Sequence, residues 1–181
     1  MDTPHLPIRR EGYLIRSWRP DDAASLAAQL NNIAIWNNIR DAVPYPYTLD
    51  DAAEYIASTR RKPYPQDFAI EIDGKAVGGL GFDPGTDVER FNAQLGYWIG
   101  ESFWNRGILS DAVQVISDYI FSHTALTRIF AHVYDYNKAS MRVLGKAKFR
   151  KVGVMERAAF KNDSYIDVHV YELLKPHTNS L

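Results

Sequence analysis

Cysteine is absent from the 181 residues, which excludes disulfides, cysteine nucleophiles and thiolate metal sites. Histidine is scarce, and His5, His123, His132, His169 and His177 show no metal-ligand spacing, so no metal is expected. No segment approaches the roughly 20 apolar residues of a membrane span, and Met1 to Arg10 carries prolines and arginines without an apolar run. Neither a membrane association nor a secretory leader is expected, and a cytoplasmic location fits best. A surplus of either charge is missing too: the formal net charge is -1, which gives no basis for a sequence-independent grip on DNA or other nucleic acid. The lysine and glycine spacing of a P-loop and the three-glycine pattern of a dinucleotide fold are also lacking.

What is present is a chain of 46% hydrophobic and 24% charged residues, the composition and length of one globular domain spanning 1–181. Tyr13 to Trp18 reads as a strand, and Arg19-Pro20-Asp21-Asp22 then starts an amphipathic helix to about Leu30. A weaker helical piece near Ile33 to Ile39 precedes an extended crossing at Val43-Pro44-Tyr45-Pro46-Tyr47, and Thr48 opens a helix to about Thr59. From Phe68 the period becomes two. Strands are predicted at Phe68 to Ile72, Ala76 to Phe82 and Phe91 to Ile99, followed by a long helix from about Arg106 to Phe121. That helix carries Ile108, Ala112, Val115, Ile116, Tyr119 and Ile120 on its apolar stripe. A strand at Arg128 to Tyr134, a short helix from Asn137 to about Lys146, and two strands at Lys148 to Phe160 and Tyr165 to Leu174 complete a mixed sheet with helices on its faces.

The segment Trp104-Asn105-Arg106-Gly107-Ile108-Leu109-Ser110-Asp111-Ala112, directly after Leu95 to Ile99 and Gly100, has the form of a phosphate cradle. A polar turn followed by a helix opening on glycine gathers backbone NH groups at the positive end of a helix dipole. A pyrophosphate suits that point, and with the nucleotide motifs missing, coenzyme A is the natural candidate. An ordinary strand-to-helix connection is the bland alternative, with Arg106 a solvated charge and Gly107 there for packing.

The element order and this turn resemble the GNAT superfamily of acyl-coenzyme A dependent N-acyltransferases. The likeness covers nearly the whole chain and is nearest to the Rim-type branch, the ribosomal-protein-serine/alanine N-acetyltransferases. It rests on Leu14-Ile15-Arg16, Asp22-Ala23, Val43 to Thr48, Tyr97-Trp98-Ile99-Gly100, Trp104 to Ala112 and Asn137-Lys138-Ala139-Ser140. The resemblance implies a mixed, mostly antiparallel sheet of about seven strands with helices on both faces. It implies acetyl-coenzyme A as co-substrate and a primary amine, on a protein N-terminus or a small molecule, as acceptor. Attack would be direct, in a ternary complex, by a monomer or homodimer.

By the same resemblance, Asn105, Arg106, Gly107, Ile108, Leu109 and Ser110 would bind the pyrophosphate, and the backbone of Trp98, Ile99 and Gly100 would pair with the pantetheine amides. Asn137 would contact the pantetheine arm, and Ser140 would lie near the sulfur and protonate the leaving thiolate. Read from the residues alone, Tyr97 and Trp98 are strand aromatics filling a core, and Asn137 and Ser140 are caps. Many GNAT enzymes use a tyrosine where this chain has Leu144, which directs the acid role to Ser140 or to Tyr136. Glu71 alternates away from Phe68, Ile70 and Ile72 and is the candidate base; a solvated strand residue is its alternative. The acceptor side is expected along Asn37 to Tyr47, with Asp167 a further acidic candidate. Lys148 and Val152 stand where Rim-type proteins often carry Gly and Glu, which weakens the analogy to a ribosomal-protein substrate. A non-catalytic acyl-coenzyme A sensor or an interaction module is the alternative function.

Overall fold

A computed structural model describes residues 6–176. Its strands are β1 (Ile8–Arg10), β2 (Tyr13–Ser17), β3 (Asp67–Ile72), β4 (Lys75–Pro84), β5 (Asn92–Ile99), β6 (Arg128–Tyr134), β7 (Arg150–Lys161) and β8 (Ser164–Leu174). The helices are α1 (Ala23–Leu30), α2 (Ile33–Trp36), α3 (Leu49–Thr59), α4 (Ile108–His123) and α5 (Lys138–Lys146). Hydrogen bonding orders the eight strands β1-β2-β3-β4-β5-β6-β8-β7. The β1–β2, β2–β3, β3–β4, β6–β8 and β7–β8 pairs are antiparallel, whereas β5 and β6 run parallel through Asn92–Gln94 and Arg128–Phe130.

The strand missing from the sequence reading is β1, so the sheet has eight strands where about seven were expected. Three residues, two of them exposed arginines, carry no alternation to detect; only their pairing with Tyr13, Leu14 and Ile15 makes them a strand.

Two compact units divide the chain, one holding residues up to Gly81 and Gly96–Ala112, the other Phe82–Leu95 and the chain from Val113. In the first unit the helices α1, α2 and α3 bury Leu26, Leu30, Ile35, Ala52 and Ile56 around Trp18, whose ring meets Tyr55 edge-to-face at 5.8 Å. Helix α3 starts where the sequence predicted, on a reciprocal cap in which the Thr48 hydroxyl takes the Asp51 NH and Asp51 takes the Thr48 NH.

Between β3 and β4 the register jumps from Ile70↔Gly78 to Glu71↔Ala76, leaving Val77 as an extra residue. This bulge turns the Val77 carbonyl to the Gly100 NH at 2.8 Å, fixing the corner where β5 ends. Gly78 and Gly79 let β4 lie against Trp98: an added Cβ would come within 2.7 Å of the Trp98 carbonyl oxygen and 2.7 Å of its indole nitrogen respectively.

In the second unit Ile129, Ala131 and Val133 of β6 are buried, matching the expected face. Of the stripe expected along α4, Ala112, Ile116, Tyr119 and Ile120 are buried, while Ile108 and Val115 are half-buried and Val113 is buried in addition. Helix α5 ends in a Schellman motif, with the Phe149 NH on the Leu144 carbonyl at 3.0 Å and the Lys148 NH on the Gly145 carbonyl at 3.1 Å. Lys148 therefore adopts the left-handed φ of 67°, and β7 begins at Arg150, two residues later than the sequence suggested. Along β7 the pairing with β8 is broken at Val152 and again between Met155 and Ala159. At the second break Arg157 has φ 50° and its backbone NH donates to Asp167 Oδ1 at 2.8 Å.

Candidate active site

The corner after β5 is built from local chemistry. Gly100 ends the strand with an extended ψ of 143°, Glu101–Phe103 form a single helical turn of the tighter type, and the indole NH of Trp104 folds back onto the Ile99 carbonyl at 2.9 Å. Asn105 then takes φ 61° and Gly107 φ 78°, two left-handed residues flanking Arg106 immediately before α4. Asparagine tolerates this region through its short polar side chain and glycine through having none. A Cβ at Gly107 would meet nothing within 4 Å, so the residue is required by its backbone angle, and the start of α4 borders open space. Ile108, Leu109 and Ser110 supply the first-turn NH groups that no carbonyl within the helix can reach, and the Asp111 NH closes the first bond onto Gly107 at 3.2 Å.

Arg106 is exposed, with its guanidinium 5.2 Å from the Phe103 ring centroid. The turn thus combines an exposed cation, left-handed backbone and a helix start, which fits a diphosphate. All six turn residues named from the sequence, with Trp98, Ile99 and Gly100, lie in the first unit. Of the strand-end groups, the Ile99 carbonyl and Gly100 NH are already engaged within the chain. The indole of Trp98 packs on the first unit's core, in keeping with the reading of its ring as core-filling.

Asn137, Ser140 and Tyr136 lie in the second unit. The Asn137 side chain accepts the Ser140 NH at 3.0 Å and so caps α5, one of the two roles open to it. Ser140 is half-buried, and Tyr136 is 46% exposed with its ring 5.7 Å from that of Tyr134. Leu144 is fully buried as the residue whose carbonyl anchors the Schellman motif, so the position offers packing and no hydroxyl.

Glu71, the candidate base, has its carboxylate against the buried Arg16 guanidinium, with Arg19 at 3.4 Å. Arg16 also forks onto both Asp22 oxygens at 2.6 and 2.7 Å, linking β2, β3 and the entry to α1. Among the residues expected on the acceptor side, Tyr47 is buried in the first unit's core, where desolvation pushes its hydroxyl pKa up to about 12. Tyr45 is exposed beside Trp36, and the Trp36 indole NH holds the Val43 carbonyl at 2.9 Å. Among the described residues no cluster of His, Asp or Glu is arranged to hold a metal ion.

Two contributions escaped the sequence. The Trp104 indole ties the turn to Ile99, a bond that no local pattern in the sequence signals. The Asp111 carboxylate is held by Arg10 and Tyr13, 101 and 98 positions away, and no local pattern announces such a pairing.

Comparison with known proteins bears on the whole arrangement. Residues 13–150 match the family described as acetyltransferase (GNAT) domain. The uncharacterized N-acetyltransferase p20 of Bacillus licheniformis is 35% identical over 106 residues, 59% of this chain and 59% of that protein. The chain thus spans little more than half the length of that relative. The ribosomal-protein-serine acetyltransferase of Escherichia coli is 29% identical over 113 residues, 61% of this chain and 62% of that one. Among solved structures, the ribosomal L7/L12 alpha-N-protein acetyltransferase RimL in complex with coenzyme A superposes with a TM-score of 0.79 at 21% identity, covering 91% of this chain and 95% of its own.

Proposed function

The chain belongs to the GNAT acetyltransferase family, and from that premise we propose that it moves the acetyl group of acetyl-coenzyme A to a primary amine, foremost the α-amine of a protein N-terminus. The observation that carries this reading is the left-handed pair Asn105 and Gly107 at the exposed opening of α4, an anion site made of backbone. The acceptor is read from the relatives, two of which bear names that assign them ribosomal protein substrates. A small-molecule amine is the second acceptor class.

In this reading the first-turn NH groups of Ile108, Leu109 and Ser110, with Arg106, hold the pyrophosphate. Backbone of Trp98 to Gly100 receives the pantetheine arm, and Asn137 is the side chain proposed to contact it. The neutral amine attacks the thioester carbonyl carbon; the C–N bond forms, the C–S bond breaks, the amine loses a proton and the thiolate gains one. A protein α-amine of pKa about 8, and still more an alkyl amine near 10.4, is mostly protonated at neutral pH, so its proton must be lost to base or solvent before attack. Holding the two reactants in line supplies much of the acceleration, and an NH near Ile99 stabilises the oxyanion. Ser140 donates a hydrogen bond to the departing sulfur, with Tyr136 the other candidate for that step. Glu71, engaged with Arg16 and Arg19, acts as a positioning residue for β3 and the start of α1.

The test is thiol release from acetyl-coenzyme A with a panel of N-terminal peptides and small amines. Acetylated peptide α-amine is the expected product. Buried Leu144 in place of the family tyrosine favours one second reading, a sensor that binds acyl-coenzyme A without turnover. Binding without thiol release on every acceptor would establish it.

A further inference from the structure

Asp111 occupies the first turn of α4, the turn whose free NH groups are assigned to the diphosphate above. Side chains on a helix lean toward its N-terminus, so a carboxylate at this position reaches back over the first turn. An acid there ordinarily stabilises its helix by meeting the positive end of the dipole, and by the same field it opposes any anion bound at that end. This chain has supplied the carboxylate with partners from far upstream. Arg10 of β1 donates Nε to Asp111 Oδ2 at 2.8 Å and Nη2 to Oδ1 at 2.7 Å, and the hydroxyl of Tyr13 of β2 donates to Oδ2 at 2.7 Å. Tyr13 is buried, whereas the Arg10 and Asp111 side chains are 44% and 40% exposed. The Arg10 bonds hold the Asp111 carboxyl below its ordinary range, while burial, and then the bond to Asp111, push the Tyr13 hydroxyl up. The ensemble is therefore a carboxylate, a guanidinium and a neutral phenol, with no net charge.

We propose that Arg10 and Tyr13 are positioning residues for coenzyme A: they occupy and neutralise Asp111, leaving the dipole of α4 to the diphosphate. The short strand β1 thereby serves the donor site, and its two-residue turn into β2 brings Arg10 and Tyr13 opposite one another in register. The proposal rests on the reading of the α4 opening as the diphosphate site, and its test separates the two. A surface pair of this exposure adds little to stability by itself, which gives the electrostatic role a distinct signature.

Coenzyme A and pantetheine, which lacks the diphosphate, are titrated calorimetrically into the full-length wild type, Arg10→Gln, Asp111→Asn and the double variant. Arg10→Gln is expected to weaken coenzyme A roughly three- to tenfold at low salt while leaving pantetheine unchanged. The loss should shrink as added salt shortens the Debye length. Asp111→Asn alone should bind coenzyme A as tightly as the wild type or tighter. The double variant, which has no ion pair, should recover to within about twofold of the wild type. A structural tie between β1 and α4 predicts the opposite, with the double variant as weak as Arg10→Gln; that result, or parallel losses for pantetheine, overturns the proposal. Failure of the wild type to bind coenzyme A overturns the reading of the α4 opening itself.

Discussion

Helix α5 begins with a side chain turned back on its own backbone, the Asn137 amide oxygen on the Ser140 NH, whereas α4 begins after Gly107, a residue with no side chain to turn. Both follow a strand in a parallel or antiparallel ladder, and both carry apolar residues that anchor them. The closed start stabilises its own helix and fixes Ser140. An uncapped start leaves its donors to water or to a ligand, and the exposed turn from Trp104 to Gly107 keeps that space accessible. The contrast separates two forms of one local structure, a helix N-terminus: one is closed by its own side chain, and the other, in the proposed reading, is left to the cofactor.

Changes away from and within these helix starts sharpen the contrast. Glu71→Gln, outside both, should cost about 3 kcal/mol in denaturant unfolding, because it removes one partner of a buried pair while Arg16 keeps Asp22. Turnover by the folded fraction should survive; a collapse of kcat with stability intact would make Glu71 the base. Gly107→Val forces a β-branched residue into the left-handed region at a cost of about 2 kcal/mol. The turn should relax, and calorimetry should find coenzyme A bound roughly thirtyfold more weakly. Unchanged affinity there would mean the diphosphate binds elsewhere.

Ser140→Ala should lower kcat about tenfold and move cofactor affinity by less than twofold, a split that steady-state kinetics resolves. Asn137→Ala opens the closed start and should lower stability by about 1 kcal/mol in denaturant titration. A loss confined to cofactor affinity would instead reveal Asn137 as a ligand contact with no capping role. The smallest change is a gain. Lys148→Gly places the residue suited to φ 67° at the end of α5 and should stabilise by about 0.5–1 kcal/mol.

Elements with a period were legible in the sequence: β6 was placed to the residue, and α3 announced itself through Thr48 and Asp51. The cradle was legible because its chemistry is contiguous, a glycine before an apolar stripe. Lys148 shows a finer limit. Its family glycine was visible as a departure, but only the paired bonds from Lys148 and Phe149 explain why glycine suits the position. What stayed hidden was pairing at a distance, namely Arg16 with Glu71, Arg10 with Asp111 and the three-residue β1. A charged residue reads as solvated until the fold brings its partner, and neither propensity nor periodicity encodes that meeting.

The interrupted pairing of β7 has a bearing on how this protein behaves among other copies and other chains. Twelve residues long and at the end of the strand order, β7 exposes Val152, Val154, Met155 and Phe160. A straight strand of that length and character is a template for sheet growth between molecules. Here the skips at Val152 and at Glu156 to Ala158, the latter clamped by Asp167 on the Arg157 NH, cut the edge into short runs that cannot present a continuous row of donors and acceptors. Asp167, a candidate for the acceptor side, thus holds the second of these breaks through a single backbone bond.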